Sequence, residues 1–234
     1  ACRPGRRAAA GTAIQFYSSH AVFRPGLLGE RNMESQELTP RERLLASARK
    51  EFLARGFQNG SLRRICAGAG MTTGAVYFFF ENKEDLFCSL VRETAEQMEQ
   101  MMEEMTEWEL ERPETGVDSD VRLMEFLYFH REEVLLLHEC ARGTRYEGFM
   151  EEMYDRMRSA FLVFFQKYGA EDADRELIRI LAEMRIRANL ELLKGDYSME
   201  QAMDLTRQIG IYADGGFRSL TAAMRKEKEN REEK

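Results

Sequence analysis

"GMTTGAVYFFFENKEDLF" (residues 70–87) sets four consecutive aromatic side chains behind a run of small and hydroxylated residues and ahead of a charged segment. Four successive positions of a helix point to all of its sides, so the run cannot be plain core packing. Taken as a short helix opened by Thr72 or Thr73, it places Val76 and Phe80 on one face. Gly74 and Phe78 fall nearly opposite, with Tyr77 beside them and Phe79 at the boundary. The first pair is expected to anchor in a core, and the second to look outward.

What precedes the run gives that outward face a purpose. "SLRRICAGAG" (61–70) reads as a short helix capped by Ser61, with Leu62, Ile65, Cys66 and Ala69 facing inward and Gly70 as a left-handed stop. Two short helices joined by a tight, glycine-bearing turn form a helix-turn-helix, whose second helix enters the DNA major groove. In that setting Thr72 and Thr73 offer hydroxyls and methyl groups, and Gly74 permits close backbone approach to a phosphate or a thymine methyl. Tyr77 has a hydroxyl suited to a phosphate. Lys83, at the start of the next helix, is placed to clamp the DNA backbone.

The flanks complete a three-helix module. Thr39, with Pro40 behind it and Glu42 three residues on, forms a capping box for a first helix. Leu44, Leu45, Ala48, Phe52 and Leu53 make its apolar stripe, and Gly56 closes it. Asn82 caps a fourth helix that runs to about Trp108, where "ERPETG" breaks it. Further helices are expected at 118–130, 131–141, 146–168, 172–194 and 199–226. The fold class is therefore all-α. The chain divides into an extension (1–32) expected to be disordered, a helix-turn-helix DNA-binding domain (33–87), a helical body (88–226) and a charged tail (227–234).

Charge follows the same division. The formal net charge of −7 argues against nucleic-acid binding when taken as an average. Residues 39–92, however, carry nine basic and five acidic side chains, while residues 93–234 carry twenty basic and thirty-three acidic. A basic front on an acidic body suits a chain with one DNA-binding module.

Other chemistries find no support in the sequence. The cysteines, Cys2, Cys66, Cys88 and Cys140, include no C-x-x-C pair and read as free, half-buried thiols. His130, His138 and Cys140 lie on different helical faces without a carboxylate at ligand spacing, so no metal site is expected. "GAGMTTG" has the wrong spacing for a dinucleotide loop and follows a helix. No hydrolase motif is present, and no apolar run is long enough to span a membrane. The expectation is a cytoplasmic protein that is not an enzyme and carries no cofactor.

"TPRERLLASARKEFLARGFQNGSLRRICAGAGMTTGAVYFFFENKEDLF" (39–87) resembles, without a gap, the N-terminal DNA-binding domain of the TetR/AcrR family of bacterial transcriptional regulators. The resemblance implies a homodimeric, all-helical repressor of a palindromic operator in double-stranded DNA, with a C-terminal domain that dimerises and binds a small-molecule effector. By position it implies that Ser61, Thr72, Thr73, Gly74, Tyr77 and Lys83 contact DNA. Phe78 and Phe79 depart from the family, where Tyr or His is common, and Thr73 stands where lysine is frequent. Phe78 is then suited to a sugar or a thymine methyl.

Beyond the fourth helix the resemblance fades and periodicity carries the reading. Methionine and aromatic residues crowd residues 98–168, more than core packing requires, and predict a pliable cavity for an apolar or amphipathic ligand. Met102, Met105, Phe126, Phe129, His130 and Phe161 are the candidate lining. The last two long helices are the expected dimer interface, and Gly210, Gly215 and Gly216 mark either a close helix crossing or a break near "DGG". The competing class is a helical small-molecule-binding protein or enzyme that has lost DNA binding.

Overall fold

Thr39 opens the first helix as the sequence predicts: its N–H donates to Glu42 Oε2 at 2.8 Å, and the Glu42 N–H donates back to Thr39 Oγ1 at 3.3 Å. The computed structural model describes residues 38–111, 116–168, 170 and 173–232 of the chain. The expected extension at 1–32 lies outside them.

Helix α1 (Pro40–Asn59) buries Leu44, Ala48, Phe52 and Phe57 and kinks at Gly56, whose φ of 71° only glycine adopts without strain. Helix α2 (Leu62–Gly68) starts at Ser61, whose Oγ accepts the Arg64 N–H, and stops at Gly70 with φ 69°. The next element, Thr73–Phe78, is a 3-10 helix and not the α-helix expected. Its Thr72 cap makes no side-chain hydrogen bond, and glycine, valine and aromatic residues make it a poor α-helix former. Asn82 Oδ1 then accepts the Asp85 N–H at 2.9 Å and starts α3 (Lys83–Glu111).

The body holds α4 (Gly116–Phe129), α5 (Arg131–Leu135), a π-helical turn (Leu136–Cys140), α6 (Phe149–Lys167), α7 (Arg175–Lys194) and α8 (Met199–Glu232). The segment expected as one helix over 131–141 is thus α5 running into the π turn. Helix α8 continues straight through Gly215 and Gly216 and on to Glu232, where the sequence reading starts a charged tail at 227. Ser198 and Gln201 cap its start reciprocally.

The apolar core does not divide at residue 87. Phe52, Phe57 and Phe87 form an aromatic triangle with centroids 5.4–5.9 Å apart. They belong to one buried cluster with Leu136, Leu137 and Cys140 of the π turn and Leu193 of α7. Pairs of this geometry contribute about 0.5–1.5 kcal/mol each beyond their burial. Helix α1 therefore packs directly on the body, and Arg49 adds ion pairs to Glu132 (3.1 Å) and Glu133 (2.6 Å). Within the body α4 packs on α8 and α6 on α7. Cys66, Cys88 and Cys140 are fully buried free thiols, deeper than expected. Among the described residues no helix is long and apolar enough to cross a membrane.

Candidate nucleic-acid interface and effector chamber

The helix-turn-helix is pinned from below. Ser47 Oγ donates to the Ile65 carbonyl at 2.8 Å, and Gly68 lies so near that a Cβ there would meet Ser47 Oγ at 2.4 Å. Glu51 accepts from the Ser61 N–H (3.0 Å) and from Arg64 Nε (2.7 Å), and Arg64 holds its carboxyl below the usual range. These contacts tie α2 to α1 beneath the segment that follows the turn.

That segment presents what the sequence reading asked of it. Val76 and Phe80 are buried, and the Arg41 guanidinium covers the Phe80 ring at 5.3 Å. Thr72, Thr73 and Gly74 are exposed, as are Tyr77 (60%) and Phe78 (86%), while Phe79 sits at the edge. A Cβ at Gly74 would meet nothing within 4 Å, so the approach to its backbone is open. Ser61 is spent as the α2 cap, half-buried behind this surface.

Lys83, expected at the DNA backbone, is turned toward the end of α1. Its Nζ donates to the carbonyl oxygens of Phe57 (2.8 Å), Gly60 (3.1 Å) and Gln58 (3.2 Å) and lies 4.4 Å from the Phe57 ring centroid. An ammonium has three donors, and all three are used on the C-terminal end of α1. Burial lowers its pKa, while the carbonyls favour the charged form. Lys83 thus caps the end of α1. Arg131 does the same for α7, donating to Leu193 O (2.6 Å) and Gly195 O (3.1 Å).

A half-open chamber of about 580 Å³ lies between α3, α4, α6, α7 and α8. Met102, Met105 and Phe161 line it as expected, joined by Met157, Phe164, Leu181, Phe217 and Leu220. A much smaller apolar chamber of about 60 Å³ adjoins it across Met102, Leu123 and Met157. Phe126 lines only that smaller space. Phe129 is 62% exposed, and His130 turns to Thr94 Oγ1 (3.4 Å) and stacks between Phe126 and Phe129, so neither lines a chamber. These positions lie at the end of α4, where the apolar stripe has passed onto the outer side.

The sequence reading missed the charged pair in the wall of the larger chamber, Asp120 of α4 with Arg185 of α7. Asp120 was legible in part. It lies on the stripe of Leu123, Met124 and Leu127, where a lone carboxylate needs a partner. Gly210 of α8 makes room for it, since a Cβ there would lie 2.9 Å from Asp120 Oδ2. The close-crossing reading thus holds for Gly210. Gly215 and Gly216 meet open space.

Residues 44–90 match the family model described as "Bacterial regulatory proteins, tetR family". The HTH-type transcriptional repressor BepR of Brucella suis is 29% identical over 139 residues, 58% of this chain and 66% of that protein. The HTH-type transcriptional repressor AcnR of Corynebacterium glutamicum is 34% identical over 64 residues, 27% of this chain and 34% of that protein. The matched stretch thus spans less than two thirds of these curated relatives. Among solved structures, the ketosteroid transcriptional regulator KstR2 of Mycobacterium tuberculosis superposes with a TM-score of 0.57 at 19% identity, covering 77% of this chain and 96% of that one. At that identity the likeness concerns the fold alone.

Proposed function

We propose that this chain, whose residues 44–90 belong to the tetR family of bacterial regulatory proteins, is a transcriptional repressor and not an enzyme. It binds a palindromic operator as a homodimer and releases it when an apolar or amphipathic molecule fills the chamber. One observation carries the reading: a rigidly seated, exposed surface of Thr72, Thr73, Gly74, Tyr77 and Phe78 is joined by one helix to the wall of a chamber of about 580 Å³. Effector sites typically measure about 300–1,000 Å³ and are mostly apolar with a few placed polar groups.

The link is α3. It begins at Lys83, three residues after the core anchor Phe80, and carries Met102, Met105 and Thr106 into the chamber wall. A dimer must hold its two recognition segments about 34–36 Å apart to enter successive major grooves. A ligand that spreads Met102 and Met105 from Phe161 tilts α3 and changes that spacing. The exposed apolar side chains Ile180 of α7 and Ile211 of α8 support dimerisation through the last two long helices.

Selection of bound duplexes from a random pool tests the DNA half, and a palindromic winner is expected. Calorimetry of an effector with and without that operator tests the coupling, which is reciprocal and typically about 5–150-fold. No enrichment over the input pool would leave a helical binding protein without DNA function.

A further inference from the structure

The larger chamber is mostly apolar, and the charged groups in its wall select a ligand chemistry. Arg185 is the one cation among the described residues lining it. Its partner Asp120 has a side chain 10% exposed, against 25% for Arg185. The carboxylate is turned into the α4–α8 crossing, with Oδ2 2.9 Å from where a Gly210 Cβ would stand. The other acidic lining residue, Asp214, accepts from Arg218 Nε at 2.8 Å. A molecule in the chamber therefore meets the Arg185 side chain more readily than Asp120, while Asp214, though more exposed, is already engaged by Arg218. A guanidinium presents a planar fork that matches carboxylate, sulfate and phosphate oxygens.

We infer that the chamber takes an amphipathic anion, its apolar body lying among Met157, Phe161, Phe164 and Phe217 and its anionic head on Arg185. This rests on the reading of the chamber as the effector site. The head competes with Asp120 for one guanidinium. Binding then loosens the tie between α4 and α7 at the point where α4 also meets α8, and this is where occupancy becomes helix movement.

The test uses three probes with one apolar body, each below its micelle concentration: dodecanoate, dodecanol and dodecyltrimethylammonium. Calorimetry on the full chain is expected to give dodecanoate at least about tenfold tighter binding than the other two, the range of a charge-assisted contact. Asp120→Asn removes the charge that competes with the anionic head and should tighten dodecanoate further. Arg185→Met should bring dodecanoate down to the level of dodecanol. Because Arg185→Met leaves a buried carboxylate unpaired, the double variant Arg185→Met/Asp120→Asn serves as the neutral wall, with dodecanol binding as the control for folding. Equal affinities for the three probes would overturn the inference and leave the chamber reading intact. A preference for the ammonium that disappears in Asp120→Asn would assign the head-group site to the carboxylate instead. Failure of all three probes to bind would remove the chamber reading and the inference together.

Discussion

Lys83 donates from Nζ to the carbonyl oxygen of Phe57 at 2.8 Å, tying the first residue of α3 to the last turn of α1. Gly60 O and Gln58 O take the remaining donors, and the Phe57 ring lies beneath the charge. The cation adds donors to carbonyls at the end of α1, of which Phe57 O also accepts the Gly60 N–H at 3.2 Å, and it sits at the negative end of the helix dipole. This contact ties together the two helices between which the recognition segment lies in the chain.

Lys83→Met should therefore behave as a stability variant. It is expected to cost about 1–3 kcal/mol, as loss of charged hydrogen bonds to buried carbonyls does. The slope of DNA affinity against salt should match the parent protein, because no phosphate contact is removed. Denaturant unfolding and binding at several salt concentrations check the two halves. A slope reduced by about one unit would return Lys83 to the DNA backbone.

Phe78 makes the recognition surface apolar at its most exposed point, at 86%. Against a major groove, the apolar partner for such a ring is the thymine methyl. Phe78→Ala should weaken the selected operator about tenfold, in keeping with lost burial of an aromatic side chain. Replacing thymines one at a time by uracil should reproduce that loss at one position of each half-site and add nothing in the variant. Equal sensitivity to uracil in both proteins would move Phe78 off the base edge.

The glycines of α8 separate by what surrounds them. Gly210→Ala puts a Cβ 2.9 Å from Asp120 Oδ2 and 3.4 Å from Val117 Cγ1, so α8 must move off α4 at an expected cost of about 1–3 kcal/mol. Gly215→Ala meets nothing within 4 Å and removes a helix-interior glycine, for an expected gain of about 0.5–1 kcal/mol. Thermal unfolding of the two variants should shift in opposite directions. Destabilisation by both would mean that Gly215 is also at a close crossing.

His138 gives the protein an acid-sensitive point in the π turn that α1 packs on. Burial, followed by the Lys194 charge, lowers its pKa below 6.5, with Glu139 opposing. Its Nδ1 is buried without a hydrogen-bond partner, and the Tyr154 ring stands 6.4 Å away. The unfolded chain therefore binds a proton more readily than the folded one. Stability from neutral His138 is present above pH 6.5 and is lost as pH falls toward the folded value. Tyr154, raised to about 12 by burial, works at the other end, where stability falls as pH rises from 10 to about 12. His138→Phe should flatten the acid limb in denaturant titrations between about pH 7 and 5 and leave the alkaline limb unchanged. An unaltered acid limb would place the sensitivity elsewhere.

Local grammar made much of the molecule legible. Thr39 with Glu42, Ser61, Gly70 and Asn82 act where their spacing puts them, because a cap or a left-handed glycine depends only on neighbours within a few residues. The division of the aromatic run into buried Val76 and Phe80 and exposed Tyr77 and Phe78 also survives the change from α to 3-10 winding. The 3-10 winding ends at Phe78, and the Phe80 N–H bonds back to Val76 O at 3.0 Å, the four-residue spacing that keeps these two side chains on one face.

The sequence by itself determined an all-helical chain with a helix-turn-helix at its front and a methionine- and aromatic-rich body behind. Tertiary structure alone decided that Lys83 caps α1, that Asp120 meets Arg185 in the chamber wall, and that the chamber lies toward α7 and α8 and away from Phe129 and His130. Periodicity fixes which face of a helix is apolar. It does not fix which other helix that face meets, nor at what crossing angle. A long cation such as Lys83 can reach either DNA or a carbonyl from the same position, and sequence spacing does not show that the end of α1 lies within its reach.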